Sequence, residues 1–294
     1  MHKARDLPRW RSSLFIPAHE ERFIAKAHLR GAEAIILDLE DSVPSEGKGL
    51  ARAAMIKAAA RLKQHGLAVV VRVNRDLANC VADLEAALLP DVDAVMLPKV
   101  SGPEHIKLID EFMDETEGRE GLVRGVIGII ALVETPAALA LASQIASASP
   151  RLIGLAIGTE DFSVACGFEP TYRNLFGPCQ QLILGGRSHH VRVYGLPGSI
   201  ASIGDGEAFR QSSIQAKEMG FDGVLCVHPR QVEMVNSVFL PSGAELAHAR
   251  RVVAAFEEAA ATGQGVVALD GSMIDLPVVM RAKALLEGSR RIRA

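Results

Sequence analysis

Val126-Ile127-Gly128-Ile129-Ile130-Ala131-Leu132-Val133 is the stretch whose reading decides the fold. It is apolar throughout, without the alternation of a strand that has one face in water. Such a strand is buried on both faces, which indicates a parallel sheet covered by helices. The same unit repeats on either side: a short β-rich apolar run, then a longer Ala/Leu/Glu-rich segment. Strands are expected at Ser13–Pro17, Ala34–Leu39, Val69–Asn74, Ala94–Pro98, Ile127–Glu134, Leu152–Ile157, Arg192–Leu196 and Val224–Val227. Helix-like segments lie between them, among them Glu20–Arg30, Gly47–Gln64, Pro103–Glu117, Pro136–Ala148 and Glu207–Gly220.

Eight β/α units fit an α/β fold of the closed (β/α)8 TIM barrel type. An open doubly wound sheet is the rival, and no Gly-x-Gly-x-x-Gly follows an early strand to support it. The compositional break at Leu240-Pro241-Ser242-Gly243 divides a barrel over residues 1–240 from a C-terminal helical extension over 241–294. That extension is read as a helix over Ala244–Ala261, a Gly-rich loop and a last helix.

Composition narrows the function. The 294 residues carry a net charge of −3 and only 4% aromatics, which gives neither the basic footprint nor the stacking platforms of a nucleic-acid binder. The four cysteines lie far apart without Cys-x-x-Cys spacing and read as reduced structural thiols. The charged start Met1 to Asp6 lacks the apolar run of a secretory signal, and the longest apolar stretch is far short of a membrane span. A soluble cytoplasmic protein without membrane partners is expected.

Chemistry in a barrel gathers at the C-terminal ends of the strands. The second strand ends Asp38-Leu39-Glu40-Asp41, with Asp38 and Glu40 on one face. Arg72 interrupts a run of valines in the third, and a buried arginine must be paired. It either makes a structural salt bridge or holds a substrate carboxylate or developing oxyanion. Glu134 and Asp161, at the mouths of the fifth and sixth strands, would suffice for a magnesium site, which uses only one or two protein carboxylates. Capping of the next helix is the alternative role for Asp161. Lys99 ends the fourth strand and reads as a salt-bridge partner before a Schiff-base lysine. His189-His190 reads as surface. Asp275, two residues before Pro277, reads as the N-cap of the last helix.

Eight motifs in order resemble the citrate lyase β-subunit and malyl-coenzyme A lyase family, within the wider HpcH/HpaI aldolase group. They are Arg11-Ser12-Ser13-Leu14-Phe15-Ile16-Pro17 with Lys26; Ile36-Leu37-Asp38-Leu39-Glu40-Asp41-Ser42-Val43; Val71-Arg72-Val73-Asn74; Met96-Leu97-Pro98-Lys99; Val133-Glu134-Thr135; Gly158-Thr159-Glu160-Asp161; His228-Pro229-Arg230-Gln231-Val232; and Gly271-Ser272-Met273-Ile274-Asp275. The resemblance implies a (β/α)8 lyase in which Glu134 and Asp161 bind Mg2+. It places Arg72, Glu134, Arg11 and Lys26 at the substrate, with Asp38, Glu40 and Asp41 supporting them from behind. It also implies that Asp275 is the catalytic carboxylate and that the extension completes the site of a neighbouring subunit in a homotrimer or hexamer.

The implied reaction is cleavage of a 2-hydroxyacyl-coenzyme A thioester, of citramalyl, malyl or methylmalyl type, to an acyl-coenzyme A and a 2-oxoacid. The alternatives are a citrate lyase β-subunit acting on a carrier-bound citryl thioester, a malyl-coenzyme A thioesterase and a class II aldolase on free 2-oxoacids. Ala18-His19-Glu20 departs from the Gly-Asn/Ser-Arg-like turn of relatives, and the Tyr194–Ser199 segment lacks an Asp that many carry.

Overall fold

The computed structural model describes residues 10–201 and 203–293; the charged start from Met1 to Asp6 lies outside the described residues. The chain divides into two units, Met1–Ser237 and Val238–Ala294, close to the boundary expected at residue 240.

The first unit holds eight strands: β1 Ser12–Pro17, β2 Ala34–Asp38, β3 Ala68–Arg72, β4 Ala94–Leu97, β5 Gly128–Val133, β6 Leu152–Ile157, β7 Arg192–Tyr194 and β8 Val224–Cys226. Each pairs in parallel with the next, and β8 pairs with β1 through Ser12↔Val224. The seam between β7 and β8 is closed by the bridge Tyr194↔Gly223, with Gly195 N–H donating to the Gly223 carbonyl at 3.0 Å. The eight units therefore make a closed (β/α)8 barrel. Gly223 is needed at this seam, because a Cβ there would lie 2.0 Å from the Trp10 carbonyl oxygen.

The missing alternation has the expected cause. Ala34, Ile36, Val70, Ala94, Met96, Ile130, Leu132, Ala156, Tyr194 and Leu225 pack together in the interior, and Trp10 belongs to the same cluster. Their odd-numbered neighbours Ile35, Leu37, Val69, Val71, Val95 and Ile129 are equally buried. Three interior rows are apolar until their last position: Ile36 is followed by Asp38, Val70 by Arg72, and Leu132 by Glu134. Because side chains alternate along a strand, these rows bring their charged residues to the C-terminal end of the barrel's interior face.

At the opposite end the charges are structural. The Arg151 side chain, 2% exposed, is ringed by Asp110, Asp114 and Glu117, and Glu117 is wholly buried. Arg11, immediately before β1, is clamped by Glu33, which also accepts the Arg11 backbone N–H at 2.6 Å.

Two expected helices are interrupted. Pro136–Ala148 is two short helices, Pro136–Ala140 and Ala142–Ala146, stepped at Leu141, whose N–H turns back to the Ala138 carbonyl at 3.0 Å. Glu20–Arg30 is the helix Glu21–Ile24 and a 3-10 turn, Ala27–Leu29. Among the described residues no helix is long and apolar enough to cross a membrane.

The second unit opens with the helix Gly243–Ala261, started by a reciprocal capping box between Ser242 and Glu245. The segment read as a Gly-rich loop is a β-hairpin, β9 Val267–Leu269 and β10 Ser272–Ile274. Its turn is Asp270-Gly271, with φ of 50° and 78°, the two positive values a tight hairpin demands. The final helix, Leu276–Arg293, follows. Val252, Ile274 and Val279 pack at the centre of this unit's own core.

Candidate active site

The charged cluster at the C-terminal end of the barrel is built around Arg72. Its guanidinium grips Asp38 with two hydrogen bonds, Nε to Oδ1 at 2.7 Å and Nη2 to Oδ2 at 2.8 Å. Nη1 lies 3.0 Å from Glu40 Oε2 and 3.2 Å from Asp41 Oδ2, and one face of the group lies over the Phe15 ring at 4.9 Å. The β2–β3 register makes this unavoidable, because Asp38 pairs directly with Arg72. Burial alone would push Asp38 upward, but the hydrogen bonds and charge of Arg72, with the N–H groups of Ser42 and Glu40, hold it below its ordinary range. Glu40 moves the other way: burial raises it against the pull of Arg72 and Lys99.

Lys99 ties this cluster to the next acid. Its Nζ donates to Glu40 Oε1 at 2.9 Å, and its backbone N–H donates to Glu134 Oε2 at 2.6 Å. Lys99 has φ of 48°, rare for a residue with a side chain. Burial would lower its pKa, yet Glu40, Asp41 and Glu134 together raise it, the opposite of the lowering that activates a Schiff-base amine. It is the salt-bridge partner that the sequence suggested.

Glu134 is 2% exposed, and its carboxyl is pushed up to about 8, first by burial, then by hydrogen bonding to Asp161 and by the charges of Asp161 and Glu40. The Lys99 amide opposes that rise without cancelling it. Two carboxylates are therefore held against each other in a site that penalises their charge. A hard divalent cation bound there would reverse that penalty, and two carboxylate oxygens with water and substrate oxygens suit octahedral magnesium. Among the described residues no three His, Cys, Asp or Glu side chains gather as a metal cluster, so any ion here would take its remaining ligands from elsewhere. Gly158 makes the arrangement possible, because a Cβ at that position would lie 2.6 Å from Glu134 Cγ and Oε1.

These side chains line a cavity of about 460 Å³. Its lining includes the charged Asp38, Asp41, Arg72, Glu134, Glu160 and Asp161 and the apolar Phe15, Leu132, Ile157, Ile200, Leu225 and Val227. One carboxylate oxygen of Glu160 is engaged by the loop after β7. This Oε1 accepts from Ser199 Oγ at 2.6 Å and from Ile200 N–H at 3.1 Å, which fastens the loop. Gln231 holds the same loop by donating from Nε2 to the Ile200 carbonyl at 2.8 Å.

The expected site residues are brought together unevenly. Asp38, Asp41, Arg72, Glu134 and Asp161 all line the cavity, and Glu40 lies directly behind them on Arg72 and Lys99. Arg11 does not join them: it stands before β1, at the end of the strand away from Pro17, and Glu33 occupies its guanidinium. In this structure the Arg11 guanidinium is held by Glu33, and Arg11 is not among the residues lining the cavity. Lys26 is exposed at the turn into Ala27–Leu29 and does not line the cavity. Asp275 belongs to the second unit, where its Oδ1 accepts from Val278 N–H at 3.2 Å as the cap of the last helix. His189 and His190 are exposed, as read. Sequence reasoning missed Ile200 and the latch formed by Glu160 and Gln231; Glu160 stood in a quoted motif, but nothing in the sequence tied it to a loop some forty residues on.

The site is thus an acid-rich mouth on a closed β/α barrel, with one deeply paired arginine and two facing carboxylates. The chain belongs to the HpcH/HpaI aldolase/citrate lyase family, whose model matches residues 11–229, and it is an enzyme of that lyase family. It is 34% identical over 281 residues to the citrate lyase subunit beta of Escherichia coli (strain K12), covering 94% of this chain and 92% of that one. It is equally 34% identical over 289 residues to a (3S)-malyl-CoA thioesterase of Cereibacter sphaeroides, covering 97% and 96%. Among solved structures it is similar to the CitE protein of Mycobacterium tuberculosis in complex with magnesium, acetoacetate and coenzyme A. That match has a TM-score of 0.75 and 29% identity, over 96% of this chain and 100% of the other.

Proposed function

We propose that this protein is a Mg2+-dependent carbon–carbon lyase of the cytoplasm that cleaves a 2-hydroxyacyl-coenzyme A thioester to an acyl-coenzyme A and a 2-oxoacid. The observation that carries the reading is the buried Glu134 carboxyl, pushed up to about 8 and set against Asp161 beside Arg72. Glu134 and Asp161 would hold the ion, which when bound lowers the pKa of the substrate hydroxyl and polarises the nascent ketone. Arg72 faces the negative charge on those oxygens, and Asp38, Glu40 and Asp41 fix its direction. Lys99 sets the Glu134 carboxylate through its amide. The hydroxyl gives up its proton to solvent water, the bond between the carbinol carbon and the thioester α-carbon breaks to leave the ketone, and the electron pair stays on the thioester fragment as an enolate that takes one proton back. Asp275, supplied by the extension of a neighbouring subunit in a trimer or hexamer, returns a proton to that enolate.

The test is product analysis by mass spectrometry with malyl-, β-methylmalyl- and citramalyl-coenzyme A, with and without EDTA. Acyl-coenzyme A plus a 2-oxoacid, abolished by EDTA, is the expected result. The thioesterase relatives at 34% identity support a second outcome, free coenzyme A, which would replace the lyase reading with thioester hydrolysis. No turnover of any of the three would refute both.

A further inference from the structure

Beyond the Asp38–Arg72 pair the ladder between β2 and β3 is finished by a side chain. Leu39 N–H still donates to the Arg72 carbonyl at 3.0 Å. In a parallel ladder the next bond would run from the Asn74 N–H to the Leu39 carbonyl. That N–H turns away and donates to Asp83 Oδ2 at 2.8 Å. The Asn74 side-chain amide takes its place: Nδ2 donates to the Leu39 carbonyl at 2.9 Å and to Asp83 Oδ2 at 2.6 Å. Asp83, on the helix Leu77–Ala87, is wholly buried, and its Oδ1 accepts from Arg52 Nη1 at 2.9 Å. Asn74 is buried as well, and neither residue lines the cavity. The carbonyl that Asn74 holds lies between two acids that hold Arg72, since Asp38 precedes Leu39 and Glu40 follows it.

From this we infer that Asn74, oriented by the buried Asp83, is a positioning residue for the reaction: it fixes the Leu39 carbonyl and, through it, the Asp38–Asp41 turn that aims Arg72. This rests on the lyase reading for what Arg72 does. A strand end without ladder bonds has no direction of its own, and here a helix supplies one through Asp83. The cost of burying that carboxylate is offset by Arg52 and by two Asn74 N–H donors. Lys48 Nζ shares the Leu39 carbonyl at 2.8 Å and reaches the Glu40 carbonyl at 2.6 Å, so losing Asn74 loosens the turn without releasing it. Glu134 is fixed from elsewhere, by the Lys99 amide. Asn74 should therefore govern the rate and leave the affinity for Mg2+ alone.

The experiment measures kcat, KM and calorimetric Mg2+ affinity for Asn74→Ala, Asn74→Ser, Asp83→Ala and Asp83→Asn, on whichever of malyl-, β-methylmalyl- or citramalyl-coenzyme A the native chain cleaves. Asn74→Ala and Asp83→Ala are expected to lower kcat about tenfold, as a shift of Arg72 by a fraction of an ångström would, with KM and Mg2+ affinity within about twofold. Asn74→Ser, with one donor in place of two, repeats the test while keeping Asp83 partly satisfied, and is expected to lower kcat in the same way. Asp83→Asn retains an acceptor oxygen for both Asn74 N–H groups and should stay within about threefold of native. Beside Arg72→Lys, where the guanidinium fork is already lost, Asn74→Ala should cost less than about twofold more, because residues acting through one group are not additive. Native kcat in both folded Asn74 variants, a full loss persisting beside Arg72→Lys, or a parallel fall in Mg2+ affinity would each overturn the inference and leave the lyase reading intact. Equal losses in Asp83→Asn and Asp83→Ala would overturn it too, by tracing the effect to the Arg52–Asp83 ion pair. If the native chain cleaves none of the thioesters, the lyase reading fails, and crystal structures of the native and Asn74 variant proteins decide the placement. Arg72 Nη1 drawn away from Glu40 by about 0.5 Å or more supports it, and an unmoved guanidinium overturns it.

Discussion

Replacing Gly158 by alanine adds one methyl group at the place where the site tolerates none. The new Cβ would lie 2.6 Å from Glu134 Cγ and Oε1 and 2.9 Å from Cδ, against 3.4–4 Å for ordinary contact, so the Glu134 carboxyl must retreat by about 1 Å. Retreat is hindered, because Glu134 is 2% exposed and its Oε2 is already fixed at 2.6 Å by the Lys99 amide. A misplacement of about 1 Å at a reacting centre costs roughly a hundredfold in rate, equivalent to about 2.7 kcal/mol of transition-state stabilisation. Gly158→Ala should therefore lower the Mg2+-dependent cleavage rate about 100-fold and weaken Mg2+ binding, with the barrel still folded. Gly177→Ala is the control, since a Cβ there meets nothing within 4 Å. The assays are calorimetric Mg2+ titration, thioester cleavage and circular dichroism. Wild-type Mg2+ affinity and rate in a folded Gly158→Ala protein would show that Glu134 does not depend on this close approach.

Three further outcomes follow from the same geometry. Asp275→Asn keeps a good helix cap, since Asn caps as well as Asp, but removes the ionisable carboxyl; cleavage should fall at least 100-fold while thermal stability stays within about 1 kcal/mol, and equal losses of both would reduce Asp275 to its capping role. Because Glu134 is raised from 4.5 to about 8, it enters the metal-free fold protonated, and Mg2+ must displace that proton. Apparent Mg2+ affinity should thus weaken about tenfold per unit as pH falls below about 7.5, and the metal-free protein should lose stability as pH rises from about 4.5 to about 8, the sign for an acid whose proton the fold retains; a pH-independent Mg2+ titration would contradict this. Arg151→Met leaves Glu117 buried without its counter-charge, so urea unfolding should show a loss of about 3–5 kcal/mol with the cleavage chemistry unaltered in the folded fraction, and a loss under about 1 kcal/mol would mean the ring of acids relaxes by protonation.

The barrel was legible because burial on both faces removes alternation, and all eight observed strand starts fall within one residue of the expected ones. The polar ends of the rows were legible for the same geometric reason: Asp38, Arg72 and Glu134 continue the parity of Ile36, Val70 and Leu132. Arg11, quoted in the first motif, stands before β1 at the end of the strand away from the mouth, a placement that its sequence position already carried. The hairpin was legible too, in Asp270-Gly271, but the glycine count of the segment suggested a loop. Ile200 could not have been found, because an irregular loop has no period and its position is set by acceptors and donors from other elements.

The seam that closes the barrel sets a schedule for the nascent chain. Ser12 pairs with Val224, 212 positions later, so the first strand has a vacant edge until almost the whole barrel has been made. At synthesis rates of about 5–20 residues per second, that wait is roughly 10 to 40 s. Through that interval β1 offers unpaired backbone groups to any other strand, the hazard of every unprotected edge. Gly223 makes the final join, where β8 must pass within touching distance of the Trp10 carbonyl. A bulkier residue there would strike the step that ends this exposure, and its first symptom would be aggregation during production rather than a slower enzyme.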